Sequence, residues 1–145
     1  MSSPSSNEVT QPHNELSDIE FVRQFENLNL NPEWFSHEAH LRLGWVYSYI
    51  YSIEKSEEKI RNAIKNFDGK YGDGTKYHET ISVFMLRLIY AREKENISIT
   101  FSQFKEKNSD LFYKNKTFLA KYYSYDVLNN QQAKVKYHKP DLQVI

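Results

Sequence analysis

The stretch YHETISVFMLRLIYAREK, residues 77–94, places Ile81, Phe84, Met85, Leu88 and Ile89 at i, i+3, i+4, i+7 and i+8, the spacing of one helix face. It is the strongest core-helix signal in the chain and reads as a helix from about Tyr77 to Lys94. Working back from it, Asp68-Gly69 to Asp73-Gly74 holds three of the four glycines and marks a break. Before the break, Ser56 with Glu57 and Glu58 behind it opens a helix through Ile60, Ala63, Ile64 and Phe67. Its two acids suit the positive end of the helix dipole. Ser36 caps an earlier helix running to about Ser52, with Leu41, Trp45, Val46, Tyr49 and Ile50 as one continuous apolar face. Of Tyr47, Tyr49 and Tyr51, this face buries only Tyr49. Ser17-Asp18-Ile19-Glu20 is a capping box for a first helix with Phe21, Val22 and Phe25, ending between Asn27 and Asn31. Working forward, Thr100-Phe101-Ser102-Gln103 caps a short helix ending near Asn108. Two more short helices are expected over Ser109 to Tyr123 and Ser124 to Gln131. Val135 to Ile145 contains Pro140 and reads as an extended tail on the body. The expectation is an all-α single domain: a bundle of four main helices with two or three short C-terminal ones.

Composition agrees and narrows the function classes. Four Gly and four Pro in 145 residues argue against a loop-rich β-sandwich, while 11 Tyr, 9 Phe and 2 Trp supply core bulk. Residues 1–14 are rich in Ser, Pro, Asn and Gln, so they read as disordered, leaving 15–145 as the folded domain and giving His13 no role. That segment has neither the basic start nor the apolar stretch of a secretory signal. No apolar run reaches the roughly 18 to 20 residues that span a bilayer, and a cytoplasmic protein is expected. Without cysteine there is no disulfide and no thiolate ligand, so a metal would have to be held by His and carboxylates. The net charge of zero hides an asymmetry: residues 1–60 carry ten acids against four bases, and residues 112–145 carry six Lys against two Asp. The basic end interleaves aromatics, as at Lys134-Val135-Lys136-Tyr137-His138-Lys139, but it has no arginine and no nucleic-acid motif, and nucleic-acid binding is not expected.

Three of the five histidines fall at two predicted helix starts, Ser36-His37-Glu38-Ala39-His40-Leu41-Arg42 and Lys76-Tyr77-His78-Glu79-Thr80. His37 and His40 are three apart and share a helix side, the geometry of metal-binding helices. If the two starts meet, His37, His40 and His78 form a three-imidazole set suited to Zn²⁺ or Fe²⁺, with a position open to water or substrate. Glu79 directly follows His78 and points about 100° away from it, so it is a general base or a supporting partner rather than a ligand. Arg42 is a candidate anchor for a substrate anion, although pairing with an acid of the first helix competes with that role. Tyr77 could offer its phenol to a small-molecule ligand. No organic cofactor is indicated.

Together the two clusters resemble a small bacterial all-α family of unknown function. Its pattern is a Phe-x-His-x-x-His-Leu-Arg segment with an early Trp, then Lys-Tyr-His-Glu-Thr, a Tyr-Ser, and a Pro-Asp-Leu near the C-terminus. Here these are Phe35 to Arg42 with Trp45, Lys76 to Thr80, Tyr123-Ser124 and Pro140-Asp141-Leu142. The resemblance covers about residues 33 to 143 and implies an all-helical domain with His37, His40, His78 and Glu79 in the shared pattern. It implies no activity. Gly44 stands where the pattern leads one to expect Ala, which weakens the helix by about 1 kcal/mol.

Three readings stay open. One is a small metalloprotein or metalloenzyme. A second is an acid–base site without metal, with His40 or His78 working beside Glu79. The third is a non-catalytic binding or regulatory module whose His and Glu residues form a structural hydrogen-bond network. Substrate and oligomeric state are not written in the sequence.

Overall fold

Capping side chains set where the helices begin. In the computed structural model, which describes residues 10–113 and 116–145, Ser17, Ser36, Ser52, Thr100 and Asn130 each accept the backbone N–H three residues on. Each cap satisfies a donor that the first turn leaves without an intrahelical partner, worth about 1 kcal/mol. The α-helices are α1 (Asp18–Glu26), α2 (His37–Ile50), α3 (Ile53–Tyr71), α4 (Glu79–Glu95), α5 (Phe101–Lys107), α6 (Lys116–Ala120) and α7 (Gln131–Val135). Short 3₁₀ turns cover Pro12–Glu15, Pro32–Trp34 and Ser109–Phe112, and no strand occurs among the described residues. The chain is all-α, with four long helices and short ones toward the C-terminus. No helix among the described residues is long and apolar enough to cross a membrane.

Several boundaries differ from expectation for physical reasons. Ser52, not Ser56, caps α3; Ser56 is fully buried one turn in, where its hydroxyl donates to the Tyr47 carbonyl at 3.0 Å. The helix also runs through Gly69 to Tyr71, because one internal glycine costs only about 1 kcal/mol. The chain turns at Gly72, where an added Cβ would sit 2.2 Å from Asp68 Oδ1, and again at Gly74, whose φ of +82° is left-handed. No helix starts at Ser124, whose N–H and hydroxyl both donate to Asp141. The expected helix over Ser109 to Tyr123 resolves into the 3₁₀ turn and α6, with residues 114 and 115 outside the described ones. Residues 1–9 of the expected disordered segment likewise lie outside the description, whereas Pro12–Glu15 is an ordered turn.

The centre of the molecule is α2 packed on α4, with a core on either side. Toward one side Leu41, Trp45 and Val46 meet Phe84, Met85, Leu88 and Ile89 of α4, Phe101 and Phe104 of α5, and Tyr123. Toward the other, Ala39, Leu43 and Tyr47 meet Phe21 and Phe25 of α1 and Ile60, Ile64 and Phe67 of α3. From Leu41 to Tyr47 every residue of α2 is buried, so the single-face reading caught only half of it. Tyr47 is wholly buried, its hydroxyl donating to Glu26 Oε2 at 2.6 Å, while Tyr49 is 62% exposed and Ile50 55%. Gly44 has a packing reason: an added Cβ would lie 3.3 Å from Ile89 Cδ1, so its absence lets α2 and α4 approach closely. The tail after α7 is extended and tied down by Leu142 N–H donating to Tyr122 O and by Tyr123 O–H donating to His138 O.

Candidate functional site

The start of α2 is built around charge. His37 sits at the first helical position, and its Nε2–H donates to the Leu111 carbonyl at 3.1 Å. Glu38 turns inward and is 6% exposed. Its Oε2 accepts from His13 Nε2 at 2.7 Å and Asn14 Nδ2 at 3.1 Å, and its Oε1 accepts from Lys105 Nζ at 2.6 Å. The His13 contact above all, reinforced by Lys105 and Asn14 against the opposing effect of burial, holds the Glu38 carboxyl down at about 2. One turn on, Arg42 is also buried, donating to the carbonyls of His13 and Leu16 and to Asp18 Oδ1 at 2.7 to 3.0 Å. Its Nη1 lies 3.3 Å from His13 Nδ1, and the guanidinium covers the Phe21 ring. Arg42 thus takes the alternative partner weighed from sequence, an acid of α1. His13, assigned no role, is the wholly buried hub of this network. The available signal was that Glu38 and Arg42 stand four apart on one face of a core helix, and two buried charges require partners.

The start of α4 is built around alternation. His78 is not a first-turn residue but the cap itself: its Nδ1 accepts the Ile81 N–H at 3.1 Å, and its Nε2–H donates to the Val127 carbonyl at 3.0 Å. Burial lowers its pKa below the usual imidazole range, with the Val127 and Leu128 carbonyls opposing. Thr80 faces the same way, donating to Lys136 O and accepting from His138 N–H, both at 2.9 Å. Tyr77 and Glu79 face α3 instead. Tyr77 O–H donates to Glu79 Oε1 at 2.7 Å, and Arg61 grips both carboxylate oxygens. Burial pushes the Glu79 carboxyl up, but Arg61 and Tyr77 outweigh it and leave it lowered. Behind this start, Asp68 Oδ2 accepts the N–H groups of Lys76 and Tyr77 and holds the loop that delivers them.

Between the two starts lies a cavity of about 530 Å³, walled by α2, α3, α4, the 76–78 loop and the segment around α6. His37, His40 and His78 all line it, as does Tyr77; Glu79 and Arg42 lie off its wall. The inner wall is apolar, with Phe67, Met85 and Phe118 each 7% exposed. His40 stands against the Phe35 ring, centroids 5.7 Å apart. No protein-family model, curated protein or solved structure matches this chain.

The expected meeting of the two histidine clusters thus takes the form of a shared cavity. As arranged here the imidazoles do not make a ligand set: among the described residues no group of three or more His, Asp or Glu is placed to hold a metal ion. His78 in particular has its one lone pair engaged by the Ile81 N–H. What the arrangement offers chemically is a large apolar chamber with imidazole and phenol groups on its wall. Two further pieces of the family-like pattern also meet: Ser124 of Tyr123-Ser124 binds Asp141 of Pro140-Asp141-Leu142 through both its N–H and its hydroxyl.

Proposed function

We propose that this chain is a small-molecule binding protein whose ligand occupies the cavity between the starts of α2 and α4, with His37 and His40 as its polar contacts. The observation that carries the reading is the cavity itself. At about 530 Å³ it is in the size range of organic-ligand sites, it is walled by buried apolar side chains, and histidines from both helix starts line it. The polar groups off the wall then have the structural work of clamping the helix starts. The competing reading, Zn²⁺ or Fe²⁺ on His37, His40 and His78, requires His78 to give up the Ile81 cap.

A fragment screen by protein-observed NMR, run beside metal analysis by mass spectrometry, tests this. Fragments are expected to shift the signals of His40, Phe67 and Met85, and to lose that effect in Ile81→Trp, which fills the chamber while circular dichroism reports an intact fold. Absence of any binder in the cavity sinks the reading. Stoichiometric zinc or iron, lost in a His37→Ala/His78→Ala variant that still folds, replaces it with the metal site.

A further inference from the structure

We infer that the ligand of this cavity is an uncharged aromatic molecule, its ring system lying along a row of four rings on the cavity wall. The inference rests on the cavity reading and adds the chemical class.

The rings are His40 of α2, Phe35 just before that helix, and Phe67 and Tyr71 one turn apart on α3; all four line the cavity. Each touches the next. Centroids lie 5.7 Å apart from His40 to Phe35, 5.3 Å from Phe35 to Phe67 and 4.8 Å from Phe67 to Tyr71. Neighbouring planes are inclined by 30° to 54°, so the row presents ring edges as well as faces. An aromatic guest gains from such geometry beyond its buried area, whereas a saturated guest of the same size gains the area alone. Met85 of α4 adds a thioether to the wall, a group that also favours contact with rings.

Charge on the wall selects against ions. Among the described residues the fully charged side chains there are Asp68, Lys76 and Lys116. Asp68 already accepts the N–H groups of Lys76 and Tyr77. Lys76 lies in the field of Asp73, and Lys116 pairs with Asp126. His78, its pKa lowered by burial, stays neutral at pH 7. None of these groups is left unmatched, so nothing among them offsets the hydration an ionised guest loses against Phe67, Met85 and Phe118.

A matched series decides it: 2-naphthalenemethanol, its fully saturated decalin counterpart, 2-naphthoate and 2-naphthylmethylamine. Each is titrated by NMR into wild type, Phe35→Leu and Ile81→Trp. Leucine keeps much of the apolar contact of Phe35, and thermal melting checks the fold. Tyr71→Leu, at the exposed end of the row, gives the same test if Phe35→Leu does not fold. The aromatic alcohol is expected to bind wild type about three- to tenfold more tightly than the saturated one, and more tightly than the acid or the amine. Phe35→Leu should narrow the aromatic preference while leaving the saturated alcohol nearly unchanged, and Ile81→Trp should abolish binding throughout. Equal binding of the two alcohols overturns the aromatic class, and tightest binding of the acid or the amine overturns the uncharged one. Either result leaves the cavity reading standing. So does failure of the whole series when unrelated fragments still occupy the cavity, although the aromatic class falls. If nothing enters the cavity, both fall.

Discussion

At the start of α2 the polar groups are charged, buried and matched with one another; at the start of α4 His78 and Thr80 are neutral and matched with backbone carbonyls. Glu38 and Arg42 draw in His13, Asp18 and Lys105. His78 and Thr80 draw in the carbonyls of Val127 and Lys136, and an ion pair there, Arg61 with Glu79, lies toward the surface. Two sequence clusters of similar composition thus do similar work, fastening a chain end to a helix start, by different physics. A buried charge network loses heavily when one member goes, because the others are left unpaired. A capped, carbonyl-bonded start loses about one hydrogen bond at a time.

Glu38→Ala should show the contrast most strongly, lowering unfolding free energy in urea by about 3 kcal/mol by leaving the wholly buried His13 Nε2 without its carboxylate. A loss below about 1 kcal/mol would erase the distinction between the two starts. Acid should reveal the same group in wild type. Its folded carboxyl sits at about 2 against an ordinary 4.5, so its stabilisation is complete above pH about 4.5 and fades as pH falls toward 2. That fade amounts to about 3 kcal/mol and should be absent in Glu38→Gln. His78→Ala is expected to cost less, about 1–2 kcal/mol, by freeing the Ile81 N–H and the Val127 carbonyl. Because the His78 pKa is lowered in the fold, its contribution is present above pH about 6.5 and declines as pH drops below that. His78→Asn should keep the cap and abolish this upper step, separating it from the Glu38 step in one pH series. The smallest effect belongs to Arg61→Ala, about 0.5–1 kcal/mol at low salt and less at high salt, since Arg61 is a third exposed. A larger loss would move the α4 start into the class of the α2 start.

How much of this was legible depended on range. Caps and helix faces are local, so Ser17, Ser36, Thr100 and the apolar face of α4 could be read from spacing alone. Ser52 against Ser56 could not, because two nearby serines each precede an acid and only the tertiary partner of Ser56, the Tyr47 carbonyl, decides between them. Burial on both sides of α2 was hidden for the same reason: an amphipathic face is a pattern, whereas the inward turn of Tyr47 depends on α1 and α3 being there. The three histidines line one cavity, but the hydrogen-bond partners of His78 and His37 lie 49 and 74 residues away and no spacing encodes them. His13 was missed because the polar composition around it resembles a tail; its burial is dictated by Glu38 and Arg42, not by its neighbours.

The spread of partners around Glu38 also has a kinetic side. One of its proton donors comes from residue 13 and another from residue 105, 25 and 67 positions away. α2 can form early as a helix, but its carboxylate can leave water only after both distant segments have docked, since a half-matched buried charge is worse than a hydrated one. Closure of the core around α2 is therefore expected late in folding, since it needs chain segments from both sides of the helix. Weakening the Lys105 contact should act chiefly by hastening unfolding, with the early helices assembling at nearly their normal pace.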